Sequence, residues 1–176
     1  MKPSASLWTV SNLLSASRFV LAVPLSYALY TGAYPWVWGL TVTAALTDFL
    51  DGYLARRNAE VSDAGKILDP IADKVMVGAG AAALFMSGRI DAWFLIAVLA
   101  RDILILAGGI FVRRTKDILP TSNMTGKVAV GIVALVLLLV GGGWDGFRET
   151  GEWMAAAALG VSFLHYLRTF IRTAFR

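Results

Sequence analysis

The chain has 176 residues, of which 57% are hydrophobic and 16% charged, with a mean hydropathy of +0.67. The length argues for one domain rather than two, and the apolar share exceeds that of an ordinary soluble domain. There is no cysteine, which excludes disulfides, thiolate metal sites and a cysteine nucleophile. The net charge of +4 suits nucleic acid or a membrane surface, and the apolar content favours the membrane over nucleic acid.

A bilayer core takes about 20 mostly apolar residues per helix. The first residues, "MKPSASLWTVSNLL", are read as a short N-terminal interfacial segment with Trp8 at headgroup level, and the run that follows lacks the cleavage pattern of a signal peptide. Apolar runs then follow in chain order at 12–30, 36–56, 67–87, 91–112, 126–143 and 152–174. The breaks "TGAYP", "SGRID" and "GGGWDGFRETGE" separate successive pairs of runs. The small-residue run "GAGAAA" at 78–83 suits close helix packing. The expected fold is therefore all-α: a polytopic membrane protein with six transmembrane helices in a single domain over residues 1–176.

Six spans put both termini on one side. That side carries Lys2, Arg56, Arg57, Lys66, Arg113, Arg114, Lys116, Lys127, Arg168, Arg172 and Arg176, whereas the other carries Arg89 and Arg148 beside Asp91, Asp145, Glu149 and Glu152. Positive charge stays inside, so both termini and the connections at 57–66 and 113–126 are expected in the cytoplasm. Trp36, Trp38, Trp93, Trp144 and Trp153 fall near the opposite boundary, as an aromatic belt would.

One stretch departs from the apolar pattern: "LTDFLDGYLARRNAEVSDAGKILDPIADK", Leu46 to Lys74. Asp48 and Asp51 are three apart near the end of the second run, and Asp69 and Asp73 are four apart near the start of the third. Each pair shares a helix face. A short connection makes the two helices antiparallel neighbours, so the pairs lie opposite each other at similar depth. Four carboxylates in such a place repel one another and are costly to desolvate, so they call for counter-charge. Oxygen ligands alone point to a hard divalent cation, Mg²⁺ or Mn²⁺. Four carboxylates can hold two ions, an arrangement suited to phosphoryl chemistry. Gly52, Ala55, Ala64 and Gly65 leave room for a ligand to approach the backbone, and Arg56 offers a bidentate grip on phosphate. Glu60 and Asp63 read as ordinary loop acids.

The eight positions Asp48, Asp51, Gly52, Ala55, Arg56, Gly65, Asp69 and Asp73, spread over 26 residues, resemble the signature of the CDP-alcohol phosphotransferase family with every position filled. The six-helix layout extends the resemblance along the whole chain. Members of that family transfer a phosphatidyl-type group from a CDP-linked lipid, here CDP-diacylglycerol, to an alcohol and release CMP. By this resemblance Asp48, Asp51, Asp69 and Asp73 surround two divalent ions, and Asp73 is also the general base for the acceptor hydroxyl. Gly52, Ala55 and Gly65 make room for cytidine, Arg56 holds the diphosphate, and Thr47 adds a hydroxyl contact. The resemblance also implies a homodimer in the cytoplasmic membrane.

The acceptor must be chosen by residues outside the motif. Arg18 in "SNLLSASR" and the Gly-Lys ending at Lys127 resemble the phosphatidylglycerophosphate synthases of the family, whose acceptor is glycerol 3-phosphate. Arg101 lies mid-helix beside Asp102, where a charge is costly and calls for a partner or a role. Arg113, Arg114 and Lys127 supply further cations for a phosphorylated acceptor. "PTSNMTGK" also resembles the cardiolipin synthases of the family, whose acceptor is phosphatidylglycerol. An inositol phosphate ranks third. An intramembrane prenyltransferase uses aspartate-rich helices too, but lacks the fixed Gly and Ala-Arg positions. A cation transporter would spread its acids along a pathway rather than gather them at one end. His165 has no acid at helical spacing and reads as a packing or interface residue.

Overall fold

The computed structural model describes residues 10–58, 65–116 and 124–174, so the expected interfacial segment around Trp8 lies outside the described residues. The described residues form six helices, α1 (Val10–Thr31), α2 (Tyr34–Asn58), α3 (Gly65–Met86), α4 (Ala92–Lys116), α5 (Met124–Gly141) and α6 (Arg148–Ala174), with a 3-10 turn at Asp145–Phe147 before α6. No strand occurs among the described residues. Each expected apolar run has become one helix. Two boundaries moved by four residues and the others by at most two. α4 continues through Arg113 to Lys116 because no Gly or Pro interrupts it there, so these cations are helical rather than part of a connection. α6 starts at Arg148, four residues early, with Glu149 in its first turn, where an acid suits the positive end of the helix dipole.

The turns are glycine turns. Gly32, Gly88 and Gly143 have φ of +72°, +73° and +100°, and each lies in one of the three breaks read from the sequence. Side chains with a Cβ rarely adopt that backbone. Among the described residues, Met124–Gly141 and Asp145–Ile171 are long and apolar enough to cross a membrane, and Lys74–Met86 is apolar but shorter.

The chain forms two compact units. The first contains α1, α2, α3 and residues 141–143. Here α1 packs against both α2 and α3. It presents a stripe of Ala22, Leu25, Ala28 and Leu29, all buried. α3 answers with small residues: Ala81 and Ala83 are buried, and a Cβ on Gly80 would stand 3.2 Å from the Leu29 side chain. Small residues let two helices approach until dispersion contacts hold them. Residues 141–143 close one end. Gly141 lies against Leu29 and Leu84, the Trp38 indole N–H donates to the Gly142 carbonyl at 3.3 Å, and a Cβ on Gly143 would be 3.3 Å from the Tyr34 ring. Leu29 and Leu84 end their helices, whereas Tyr34 and Trp38 begin theirs. Hence α1 and α3 run parallel, and α2 runs against both.

The second unit contains α4, α5 as far as Val140, and α6. Three hydrogen bonds join α4 to α6. The Asp91 amide, one residue before α4, donates to Glu152 at 3.0 Å, Arg101 donates to Ser162 at 2.8 Å, and Tyr166 donates to the Ile105 carbonyl at 3.1 Å. Each pair is 61 residues apart. A constant offset means that the two helices run parallel and stay in register. α5 runs the other way: Gly126 faces Ser162, and Val136 faces Gly151. At the top, Arg148 donates to the Gly88 carbonyl at 3.0 Å, pairs with Asp91, and lies 3.6 Å from the buried Glu152 carboxylate. The acids gathered here are thus tied to Arg148 and to the start of α4, and they act as a clasp.

The lower contact of α4 with α6 depends on Gly108, because a Cβ there would meet the Tyr166 hydroxyl at 2.5 Å. Gly108→Ala should therefore force Tyr166 off the Ile105 carbonyl and destabilise the protein by about 1–3 kcal/mol, as overpacked cores do. A thermal unfolding scan in detergent should show a lowered midpoint, and an unchanged midpoint would contradict this packing.

Candidate active site

Two regions carry the residues singled out in the sequence, one in each unit. In the first unit, α2 begins and α3 ends at the end closed by residues 141–143. The last turns of α2 and the first turns of α3 therefore both lie toward the other end. This end holds the motif. At about 1.5 Å per residue, Asp48 and Asp51 stand roughly 15 and 10 Å before the end of α2 at Asn58, and Asp69 and Asp73 roughly 6 and 12 Å into α3 from Gly65. The four aspartates are thus at one end of the unit and at comparable distances from it. Their side chains, with those of Gly52, Ala55, Arg56 and Gly65, lie outside the described residues. Backbone placement puts both acidic pairs toward the same end of the unit. The donor set is entirely carboxylate oxygen, with no sulfur or imidazole in the stretch, and this fits a hard cation such as Mg²⁺ or Mn²⁺.

Thr47 is half-buried, and its hydroxyl donates to the Ala44 carbonyl at 2.8 Å. Its proton is used within its own helix, which leaves the oxygen only as an acceptor. Arg18 is buried in α1, at 4% exposure.

The second region centres on Arg101, which is 9% exposed in mid-α4. A guanidinium has five N–H groups and keeps its charge at any physiological pH. Arg101 Nη1 donates to the neighbouring Asp102 at 2.7 Å, and Nη2 donates to Ser162 of α6 at 2.8 Å. Asp102 supplies the counter-charge without which a cation at this depth would be prohibitive. The pair lies within one helix, not between two. Nε is buried and has no hydrogen-bond partner among the described residues. The same is true of Thr125 Oγ1, in the first turn of α5. A Cβ on Gly126, the next residue, would be 3.2 Å from Arg101 Nη2 and 3.7 Å from Ser162 Oγ.

The level at which α5 starts has a consequence. Its first turn lies beside Ser162, whereas α6 continues for 12 residues to Ala174, about 18 Å further. The amide-bearing, positive end of α5 is therefore recessed between longer helices, next to a buried cation. Backbone amides and an arginine edge are groups of the kind that hydrogen-bond anions. Lys127, also in this turn, is exposed. The side chains of Arg113 and Arg114, near the end of α4, lie outside the described residues. His165 is exposed on α6 and takes no part in either region. Sequence reasoning singled out Arg101, Asp102 and the Gly126-Lys127 pair but missed Ser162 and Thr125. A serine in an apolar helix gives no signal until the register of α4 against α6 is known.

Residues 8–164 match the profile of the CDP-alcohol phosphatidyltransferase family. The chain is 37% identical over 134 residues to the CDP-diacylglycerol–glycerol-3-phosphate 3-phosphatidyltransferase of Aquifex aeolicus, covering 75% of each. It is 35% identical over 124 residues to the enzyme of the same name from Rickettsia typhi, covering 66% of this chain and 70% of that one. It is also 34% identical over 122 residues to the human CMP-forming cardiolipin synthase, covering 68% of this chain but only 40% of that longer protein. The motif in α2 and α3 falls within the matched residues, and this phosphatidyltransferase belongs to the CDP-alcohol phosphatidyltransferase family.

Proposed function

We propose that this enzyme works in a membrane, moves a phosphatidyl group from CDP-diacylglycerol to glycerol 3-phosphate and releases CMP. The observation that carries this reading is the complete eight-position motif, whose four aspartates sit at one end of the first unit. The bacterial relatives named for this donor and acceptor support it. So does the recessed positive end of α5 beside Arg101, which suits a phosphorylated acceptor. Arg18, Arg113, Arg114 and Lys127 add positive charge to the acceptor side of the reading.

The reaction follows from these groups. The acceptor hydroxyl oxygen attacks the phosphorus that carries diacylglycerol. A new P–O bond forms, the P–O bond to CMP breaks, and its electron pair leaves on the CMP phosphate. Asp73 takes the hydroxyl proton. Arg56 holds the diphosphate, and Gly52, Ala55 and Gly65 leave space for the cytidine. Two divalent ions held by Asp48, Asp51, Asp69 and Asp73 would, when bound, neutralise the diphosphate oxygens and the charge that develops on CMP. The proposed setting is six membrane-spanning helices, a homodimer, and both termini and the motif on the cytoplasmic side. The run of Lys and Arg near α2, α3, α4 and α6 supports this orientation.

A second reading keeps donor and chemistry but takes phosphatidylglycerol as acceptor, making cardiolipin. The likeness to animal cardiolipin synthases favours it. A phosphorylated inositol is the third choice.

Two tests follow. Asp73→Asn should lower kcat for CMP release by about 10²- to 10⁴-fold, the worth of a positioned base, while CDP-diacylglycerol still binds. Near-normal turnover would remove Asp73 from the base role. Chelation with EDTA should abolish CMP release, and Mg²⁺ or Mn²⁺ should restore it. Full activity in excess chelator would overturn the metal assignment.

A further inference from the structure

In the first unit α1 and α3 pack side by side and run parallel, and one contact fixes their register. A Cβ on Gly80 would stand 3.2 Å from the Leu29 side chain, so these two residues are level. Arg18, Ala22, Leu25 and Leu29 recur at steps of four, three and four, are all buried, and form one stripe of α1. Asp69, Asp73, Met76 and Gly80 recur at the same steps and form one stripe of α3. The stripes meet at Leu29 and Gly80. Arg18 lies eleven residues before Leu29, and Asp69 lies eleven residues before Gly80. Parallel helices keep such a match, so Arg18 comes level with Asp69, and Asp73 stands one turn further, about 6 Å along α3.

The burial of Arg18 excludes the cheaper use of an arginine in a membrane helix. A lipid-facing arginine lays its stem along the helix and carries its head out to the surface, but Arg18 is only 4% exposed and shares its stripe with the residues that pack on α3. It stands about 12 Å into α1 from Val10. A permanent cation at such a depth calls for an acid or a role. The acids that the register brings to its level are those of the motif in α3.

We propose that Arg18 is a positioning residue for the motif: a fixed cation on the α1 face that meets α3, supplying part of the counter-charge that the aspartates need before any metal ion binds. The whole arrangement lies within the first unit. It rests on the reading that the aspartates hold divalent ions, and it gives Arg18 a duty toward the motif beside its share in the positive charge of the acceptor side. Without Arg18 the metal-free acids repel one another with less compensation. A fixed cation also repels an incoming metal ion, so its removal tightens metal binding. Loss of a merely structural residue would loosen it.

The test uses purified full-length protein in detergent at one fixed pH, as wild type, Arg18→Met, Arg18→Lys, Asp69→Asn and the double variant Arg18→Met with Asp69→Asn. Three quantities are read: the melting temperature in EDTA, the Mn²⁺ Kd by calorimetry, and the glycerol 3-phosphate KM. Arg18→Met should melt roughly 5 °C below wild type in EDTA, and adding Asp69→Asn should recover most of that loss. Mn²⁺ should bind Arg18→Met about tenfold more tightly than wild type, the size of effect that one charge has on a neighbouring ionic equilibrium. Arg18→Lys, which keeps the charge, should restore the wild-type Kd. Where wild type binds Mn²⁺, unchanged or looser binding in Arg18→Met overturns the proposal. So does a change confined to the glycerol 3-phosphate KM, which would assign the residue to the acceptor alone, and so do losses of stability that simply add in the double variant. If Arg18→Met does not fold, a double variant that does fold supports the proposal, and one that also fails marks a merely structural residue and overturns it. If wild type binds no Mn²⁺ but Asp69→Asn still rescues Arg18→Met in EDTA, the positioning role stands and the metal reading fails.

Discussion

A charge inside an apolar helix must find compensation, and much of this protein follows from that constraint. Arg101 is compensated by Asp102, and the buried Glu152 by Arg148 and the Asp91 amide. The Glu152 contacts and the Arg101–Ser162 bond also tie α4 to α6 in a parallel register. The four motif aspartates are of another kind. They gather from two helices at one end of a unit, in a number that suits external positive charge. In the proposed reaction such a place would let cations stand between the carboxylates and the diphosphate of the donor.

The two units divide the chemistry by their construction. The first is built from small residues and closed by glycines 141–143, so that α2 returns antiparallel to α3 and delivers the motif at the opposite end. The second is pinned by three side-chain bonds at a constant offset, with α5 threaded the other way and stopped short. That early start recesses a helix N-terminus beside Arg101. The two units thus rest on different devices: small residues and a glycine closure in one, and a registered pair of helices with a shortened third in the other.

The helices were legible because each apolar run between glycine breaks is long enough to form one. The turns were legible because Gly32, Gly88 and Gly143 each take the left-handed backbone. The motif was legible because its residue types and spacing have few other uses. What the sequence hid was register. Nothing in it pairs Arg101 with Ser162, Asp91 with Glu152, or Gly108 with Tyr166, since these contacts depend on how two helices slide past each other. For the same reason nothing in the sequence marks Glu152 as buried, although it is 1% exposed. The ends of α4 and α6 were misjudged because charged residues such as Arg113, Arg114 and Glu149 continue a helix as readily as they end one.

The central claim is that the motif transfers a phosphatidyl group and that a phosphorylated small alcohol receives it. The most direct test gives the purified enzyme CDP-diacylglycerol, Mg²⁺ and an equimolar mixture of glycerol 3-phosphate, phosphatidylglycerol and inositol 1-phosphate, and identifies the lipid product by mass. The account predicts phosphatidylglycerophosphate as the main product, with one CMP released for each. Cardiolipin or phosphatidylinositol phosphate as the main product would contradict the acceptor assignment, and CMP-free mixtures with no new lipid would contradict the reaction itself.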